Sequence, residues 1–253
     1  MKFALLIGIN YEGIEDSELT GCIDDVLRMR DMLINELRYE DKNIIVLRDD
    51  TNNRDLYPTK KNIIRYLEEF VLNKQNDDEL WFHYSGHGSI RRDRSNDEKD
   101  NIDSVLIPND FQTNGVILDD DIYSIIKDVN CGLFLLFDCC HSGSICDLPW
   151  SVQYVNNQLT KTNINTNHHE NPNIYAISGS TDMQLSMENY NEFLQKKVGA
   201  LTNAFLMLLH TNKYNVAIED LFIEICRYLS YNGLEQTPIL SYTSEEITYK
   251  IKL

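Results

Sequence analysis

Short β-rich apolar runs alternate with helical patterns along most of this chain, and that alternation leaves few folds open. A parallel sheet with crossover helices on both faces satisfies it. Leu133-Phe134-Leu135-Leu136-Phe137 is apolar at every position, as a central strand covered on both sides must be. Strands are predicted over residues 3–9, 43–48, 80–84, 133–138, 174–178 and 238–241, giving an α/β fold with a six-stranded, mostly parallel sheet. Helices are predicted near residues 22–37, 59–73, 119–127, 200–211 and 218–229. In the first of these, Leu27, Met29, Met32, Leu33 and Leu37 approximate a one-sided stripe, which marks a core-facing helix rather than a cofactor box.

Two stretches break the alternation. Residues 91–101 are almost wholly charged or amidic and read as a surface loop. Residues 155–173 are rich in Asn and Thr and read as a flexible linker. The last strand and two helices are still needed to complete the sheet. The chain therefore reads as one domain over residues 1–253, with a larger part (1–150), a linker (151–173) and a smaller part (174–253).

Composition narrows the partners. A net charge of −17 argues against a nucleic-acid groove or an anionic membrane surface. Six cysteines in 253 residues do not make a disulfide scaffold. The apolar run 3–9 lacks the basic flank and small-residue cleavage site of a secretory signal, and no run reaches the length of a membrane helix. Reduced thiols, a cytoplasmic location and a monomer are expected.

Two predicted strands end in unusual polar clusters, Trp81-Phe82-His83-Tyr84-Ser85-Gly86-His87-Gly88 and Leu136-Phe137-Asp138-Cys139-Cys140-His141-Ser142-Gly143. Ligands of an open parallel sheet bind outside the carboxyl ends of its strands, and neighbouring strands lie about 4.8 Å apart. If these strands are neighbours, His87 and Cys140 face one cleft. A thiol needs a base to become a thiolate, and imidazole titrates in the right range. The Gly88 and Cys140 amides are the candidate oxyanion donors. His83 lies within its strand and reads as a core residue. Zinc is a poor fit: Cys139, Cys140, His141 and Cys146 put adjacent side chains on opposite faces and include no C-x₂-C pair.

Tyr84-Ser85-Gly86-His87-Gly88 and Asp138-Cys139-Cys140-His141-Ser142-Gly143 resemble the catalytic His and Cys blocks of metacaspases. Leu6-Ile7-Gly8-Ile9-Asn10-Tyr11 and Leu19-Thr20-Gly21-Cys22-Ile23-Asp24-Asp25 resemble that family's opening strand and the start of its first helix. Ser178-Gly179-Ser180-Thr181-Asp182-Met183-Gln184, Gly199-Ala200 and Gln236-Thr237-Pro238 resemble its C-terminal part.

The resemblance implies a caspase-like fold and a cysteine endopeptidase that cleaves after Arg or Lys through a thioester. Cys140 would be the nucleophile and His87 its acid–base partner. Cys22, Asp25, Ser85 and Asp138 would form the specificity pocket. This agrees with the charge a buried cation needs, although Asp25 alone could equally be a helix-start carboxylate. The resemblance also implies calcium, with Asp103 and Asp147 at matching positions. Ser104 stands where the family usually has a further Asp, so binding is expected to need millimolar metal. Cys139 stands where Ser is common. Lys161, Lys196 and Lys197 are the expected sites of autoprocessing. Two rivals remain, a non-catalytic scaffold and a paracaspase.

Overall fold

The computed structural model describes residues 1–92, 102–140, 145–164, 171–179, 188–191, 196–234 and 236–252. In chain order its first half comprises β1 (Lys2–Gly8), α1 (Cys22–Asn35), β2 (Ile44–Arg48), α2 (Lys60–Val71), β3 (Glu79–Ser85), β4 (Gly88–Arg92), β5 (Ile102–Leu106), α3 (Phe111–Asn114), β6 (Ile117–Leu118), α4 (Asp119–Ile126) and β7 (Gly132–Asp138). The second half comprises β8 (Trp150–Val155), β9 (Gln158–Asn163), β10 (Ile174–Ser178), β11 (Glu188–Asn191), β12 (Lys196–Gly199), α5 (Ala200–Thr211), β13 (Val216–Ala217), α6 (Ile218–Tyr231), β14 (Ile239–Tyr242) and β15 (Lys250–Ile251).

The six predicted strands all form and lie side by side, in the order β2-β1-β3-β7-β10-β14. The pairs from β2 through β10 are parallel, and β14 runs antiparallel to β10. The five predicted helices form as well. Thr59 starts α2 by accepting the Asn62 N–H at 3.2 Å, and three aspartates occupy the first turn of α4, where the helix dipole favours negative charge.

Alternation along the strands divides the core into two. On one face Ala4, Leu6, Trp81, Phe134 and Leu136 pack with residues of α1, α5 and α6; on the other Leu5, Ile7, Phe82, Leu135 and Phe137 pack with α2 and α4. Trp81 is the hub of the first, with ring centroids 4.6 Å from Phe134 and 5.8 Å from Phe205. In α1 the buried stripe is Val26, Met29, Met32 and Leu33, continued past the helix by Leu37, whereas Leu27 is only half-buried. Residue 26 rather than 27 holds the turn-by-turn spacing to 29 and 33.

The segment predicted as a linker is corrected. Beside β14 the sheet gains β8 and β9, reaching eight strands, and these two strands form a hairpin whose first residues lie at its junction with the larger part. Val155 pairs with Gln158, leaving Asn156 and Asn157 as a two-residue turn with φ of 52° and 63°. Left-handed Asn pairs match the twist of such hairpins, so the turn was present in the sequence but masked by the polar composition around it. Arg91 and Arg92, predicted as loop, belong to β4, which joins β5 and β6 in a small antiparallel sheet; residues 93–101 lie outside the described residues.

Candidate active site

The parallel pairing of β3 with β7 sets the site. Ser85 stands opposite Asp138 in register, and the Gly86 N–H donates to the Asp138 carbonyl at 3.3 Å. His87 and Cys140 each follow two residues beyond that matched pair. The two backbones run so close that a Cβ on Gly88 would collide with the Cys140 carbonyl oxygen. Both His87 and Cys140 are half-buried, and so reachable from solvent. Cys139 is buried on the opposite face with the α2/α4 core, as the strand's two-residue period requires.

The imidazole is fixed from its far side. His87 Nε2 lies 2.8 Å from the Ser17 carbonyl oxygen. A carbonyl only accepts, so Nε2 carries a proton, and in the neutral tautomer this leaves the lone pair on Nδ1. The Tyr11 ring packs on the imidazole with centroids 4.7 Å apart. His83, by contrast, is buried on the α5 side with Nε2 3.0 Å from the Thr202 hydroxyl, and burial holds its pKa down to about 3. It is a neutral core residue.

Three of the four predicted pocket residues meet at the start of α5. Asp25, on the first turn of α1, accepts the Ser85 hydroxyl at 3.0 Å and the Gly199 N–H at 2.9 Å through Oδ2. Asp138 Oδ2 accepts the Thr202 N–H at 2.7 Å. Both carboxylates converge on Gly199, where a Cβ would strike each of them. Asp25, Ser85 and Asp138 are buried, as is Cys22 one helical turn before Asp25. Burial, and then the neighbouring Asp138 charge, push the Asp25 carboxyl well above the usual carboxylate range. Its Oδ1 makes no hydrogen bond, and Arg28 Nη1, 3.9 Å away, makes none either; Arg28 instead donates to Asn203 Oδ1 at 3.0 Å through Nη2. Two buried carboxylates thus lie side by side at the start of α5.

The predicted metal residues lie on β5 and beyond β7. Asp103 is buried on β5, and its Oδ2 accepts from Arg91 Nε at 3.1 Å. Asp147 is buried beyond β7 with φ of 46°. Burial, then the Asp147 and Asp119 charges, push the Cys146 thiol well above its usual value. Asp119 accepts the Ser104 N–H at 2.5 Å. Among the described residues no three His, Cys, Asp or Glu side chains group so as to hold a metal ion. The acidic segment 93–101, as well as His141, lies outside the described residues. No described helix is long and apolar enough to cross a membrane.

Sequence reasoning passed over several of these partners. The Ser17 carbonyl carries no side-chain signature. Arg28 lay one helical turn beyond Asp25, a spacing that foretells contact. Tyr11 closes the block Leu6-Ile7-Gly8-Ile9-Asn10-Tyr11 just past the first predicted strand, where nothing in the sequence alone links it to His87.

Comparison with known proteins covers both fold and family. A family model described as metacaspase, peptidase C14 domain, matches residues 2–149, more than half of the chain. Metacaspase-1 of Eremothecium gossypii is 42% identical over 187 residues, which cover 73% of this chain and 39% of that protein. Metacaspase-1 of Kluyveromyces lactis is 38% identical over 212 residues, 83% of this chain and 46% of that protein. The chain thus spans less than half the length of these curated relatives. Among solved structures, a Geobacter sulfurreducens protein superposes with a TM-score of 0.66 at 18% identity, over 97% of this chain and 94% of its own. Caspase-1 of Spodoptera frugiperda superposes with a TM-score of 0.60 at 9% identity, over 97% and 88%. At such identities the likeness is one of fold, and that fold is caspase-like.

Proposed function

The chain belongs to the metacaspase family, and on that basis we propose that it is a cysteine endopeptidase cleaving protein or peptide substrates after Arg or Lys. The observation that carries the proposal is the register of β3 on β7, which sets His87 and Cys140 level at adjacent strand ends with Gly88 against the Cys140 backbone.

The chemistry runs through this chain's own groups. His87 Nδ1 takes the Cys140 proton, and the resulting thiolate attacks the scissile carbonyl carbon. The Gly88 and Cys140 N–H groups stabilise the oxyanion. The imidazolium, held by the Ser17 carbonyl at Nε2, returns its proton to the leaving amine and leaves a thioester. Water, deprotonated by His87, then releases the acid and restores the thiol. A substrate guanidinium or ammonium entering between Asp25 and Asp138 would offset the charges their burial makes costly, which is the basis for selecting Arg or Lys.

Calcium remains a proposal resting on the family. Asp103 and Asp147 are the described residues that would contribute to it, but Asp103 is already paired with Arg91, so no catalytic step is routed through the ion. A monomer in the cytoplasm is proposed as well, the location from six cysteines that do not make a disulfide scaffold in a chain of this length.

The testing experiment is turnover of fluorogenic peptides ending in Arg, Lys or Asp, with and without calcium. Cleavage after Arg and Lys but not Asp is expected. Absence of turnover on every peptide would favour a binding scaffold, and preferential cleavage after Asp would overturn the acidic-pocket assignment.

A further inference from the structure

His87 is held by its backbone as tightly as by its ring. Its N–H donates to the Tyr11 hydroxyl at 2.9 Å, and its carbonyl accepts from the Tyr84 hydroxyl at 2.8 Å. The same carbonyl accepts the Ile107 N–H at 3.1 Å. Tyr11 Oη in turn donates to the Ile107 carbonyl at 2.6 Å and lies 3.2 Å from Tyr84 Oη. Both phenols are fully buried, and burial raises both well above the usual tyrosine range, so both hydroxyls stay protonated. The Tyr11 ring lies against the imidazole, so one side chain touches both the peptide and the ring of the same histidine.

The fold goes to some expense to place Tyr11. Its backbone is left-handed, with φ of 55°, a region that a bulky residue rarely enters. The buried carboxylate of Asp49, just beyond β2, holds that conformation by accepting the Asn10 N–H at 2.9 Å and the Tyr11 N–H at 2.6 Å. Asn109 steadies the Asp49 carboxylate at 3.1 Å. An aromatic ring needed only to fill the core requires neither a strained backbone nor a hydroxyl shared among three groups.

We infer that the Tyr11–Tyr84 hydroxyl pair, anchored through Asp49, is the positioning device for His87, fixing the imidazole against Cys140 at the peptide that carries it. This rests on the proposed peptidase function. Tyr11 and Tyr84 are positioning residues and touch no reacting atom. A base displaced by a fraction of an ångström loses rate in the proton-transfer step, while substrate binding at the acidic pocket is untouched.

The test uses Tyr11→Phe, Tyr11→Ala and Tyr84→Phe in the full chain. It measures kcat and KM on an Arg-terminated fluorogenic peptide, the rate of Cys140 alkylation by iodoacetamide read by peptide mass spectrometry, and thermal melting. Tyr11→Phe keeps the ring contact and loses the hydroxyl. It is expected to lower kcat by about 10-fold or more with KM within about twofold, and to slow Cys140 alkylation in parallel. Tyr11→Ala should fall further, so that Phe gives partial rescue. Tyr84→Phe should show the same split more weakly, and it serves if Tyr11→Phe does not fold. A folded Tyr11→Phe with wild-type kcat and alkylation rate, or one changed in KM alone, would overturn the inference. Absence of wild-type turnover would instead count against the peptidase reading, and the alkylation rates, compared with His87→Ala, would then decide the positioning role by themselves.

Discussion

Cys139 and Cys140 are chemically identical neighbours, and the two-residue period of a strand separates their fates. One thiol is buried in the core and the other is half-buried at the end of β7, level with His87. Cys140→Ala should abolish peptide turnover and His87→Ala nearly so, whereas Cys139→Ala should keep most activity; an inactive Cys139→Ala beside an active Cys140→Ala would reverse the assignment. The acidic pair makes a second, less obvious prediction. Asp25 has a folded-state pKa raised above its unfolded value of about 3.8, so the folded chain binds its proton more tightly than the unfolded chain does. The sign follows. Asp25 costs nothing while both states are protonated, and it destabilises increasingly as pH rises from the unfolded toward the folded pKa. Asp25→Asn can still accept from Ser85 and Gly199 through its amide oxygen, so it should melt above wild type at neutral pH, with the gain disappearing below about pH 3.8. The same variant should lose roughly 10²-fold or more in kcat/KM on Arg peptides, since a buried guanidinium would lose a carboxylate partner. Wild-type melting at neutral pH would show that this carboxylate is not strained. Stability gained and activity lost together would mark a group kept for binding.

Elements place these residues through close backbone approaches. Gly88 opens β4 where a Cβ would meet the Cys140 carbonyl oxygen, a backbone atom that cannot swing aside. Gly88→Ala should therefore separate the two strand ends and remove activity, while far-ultraviolet circular dichroism stays near wild type. Full activity in that variant would mean that the ends tolerate more distance than the register implies. The β8–β9 hairpin bears on processing. Lys161, expected to be a nick site in a linker, stands in β9 instead. Its ammonium lies 4.2 Å from the Trp150 ring centroid and 5.2 Å from that of Tyr242, and it donates to the Glu245 carbonyl. A bond there must leave the sheet before it can enter an active site. Incubated with calcium, the chain should yield no new terminus at Thr162, as N-terminal sequencing or intact mass would establish; a prominent cut there would show that the hairpin opens readily.

At the scale of the molecule, the calcium proposal turns on Asp103 and its neighbour Ser104. Asp103 is engaged with Arg91, and Ser104 offers a neutral hydroxyl beside it. Stimulation at millimolar rather than micromolar calcium is expected, removed by Asp147→Ala and moved to lower concentration by Ser104→Asp; full activity in excess chelator, unaltered by Asp147→Ala, would show that the metal is dispensable. The layout of the domain was legible in the sequence because it depends on local properties. Apolar runs such as Leu133–Phe137 and the helical stripe Met29, Met32, Leu33 and Leu37 report their own burial, and two polar clusters at strand ends single out His87 and Cys140. The linker reading failed where composition outweighed a two-residue turn, since Asn156-Asn157 specifies a hairpin through backbone twist rather than hydrophobicity. Other features belong to the tertiary structure alone. That Ser85 pairs with Asp138, that the Ser17 carbonyl reaches His87, and that Asp25 and Asp138 converge on Gly199 all depend on segments distant in the chain meeting. So does the grip of Tyr11 and Tyr84 on the His87 peptide. The sequence determined which groups are available for the proposed chemistry, because side-chain type is local. The structure decided their distances, burial and protonation, because those arise only when residues tens of positions apart leave water together.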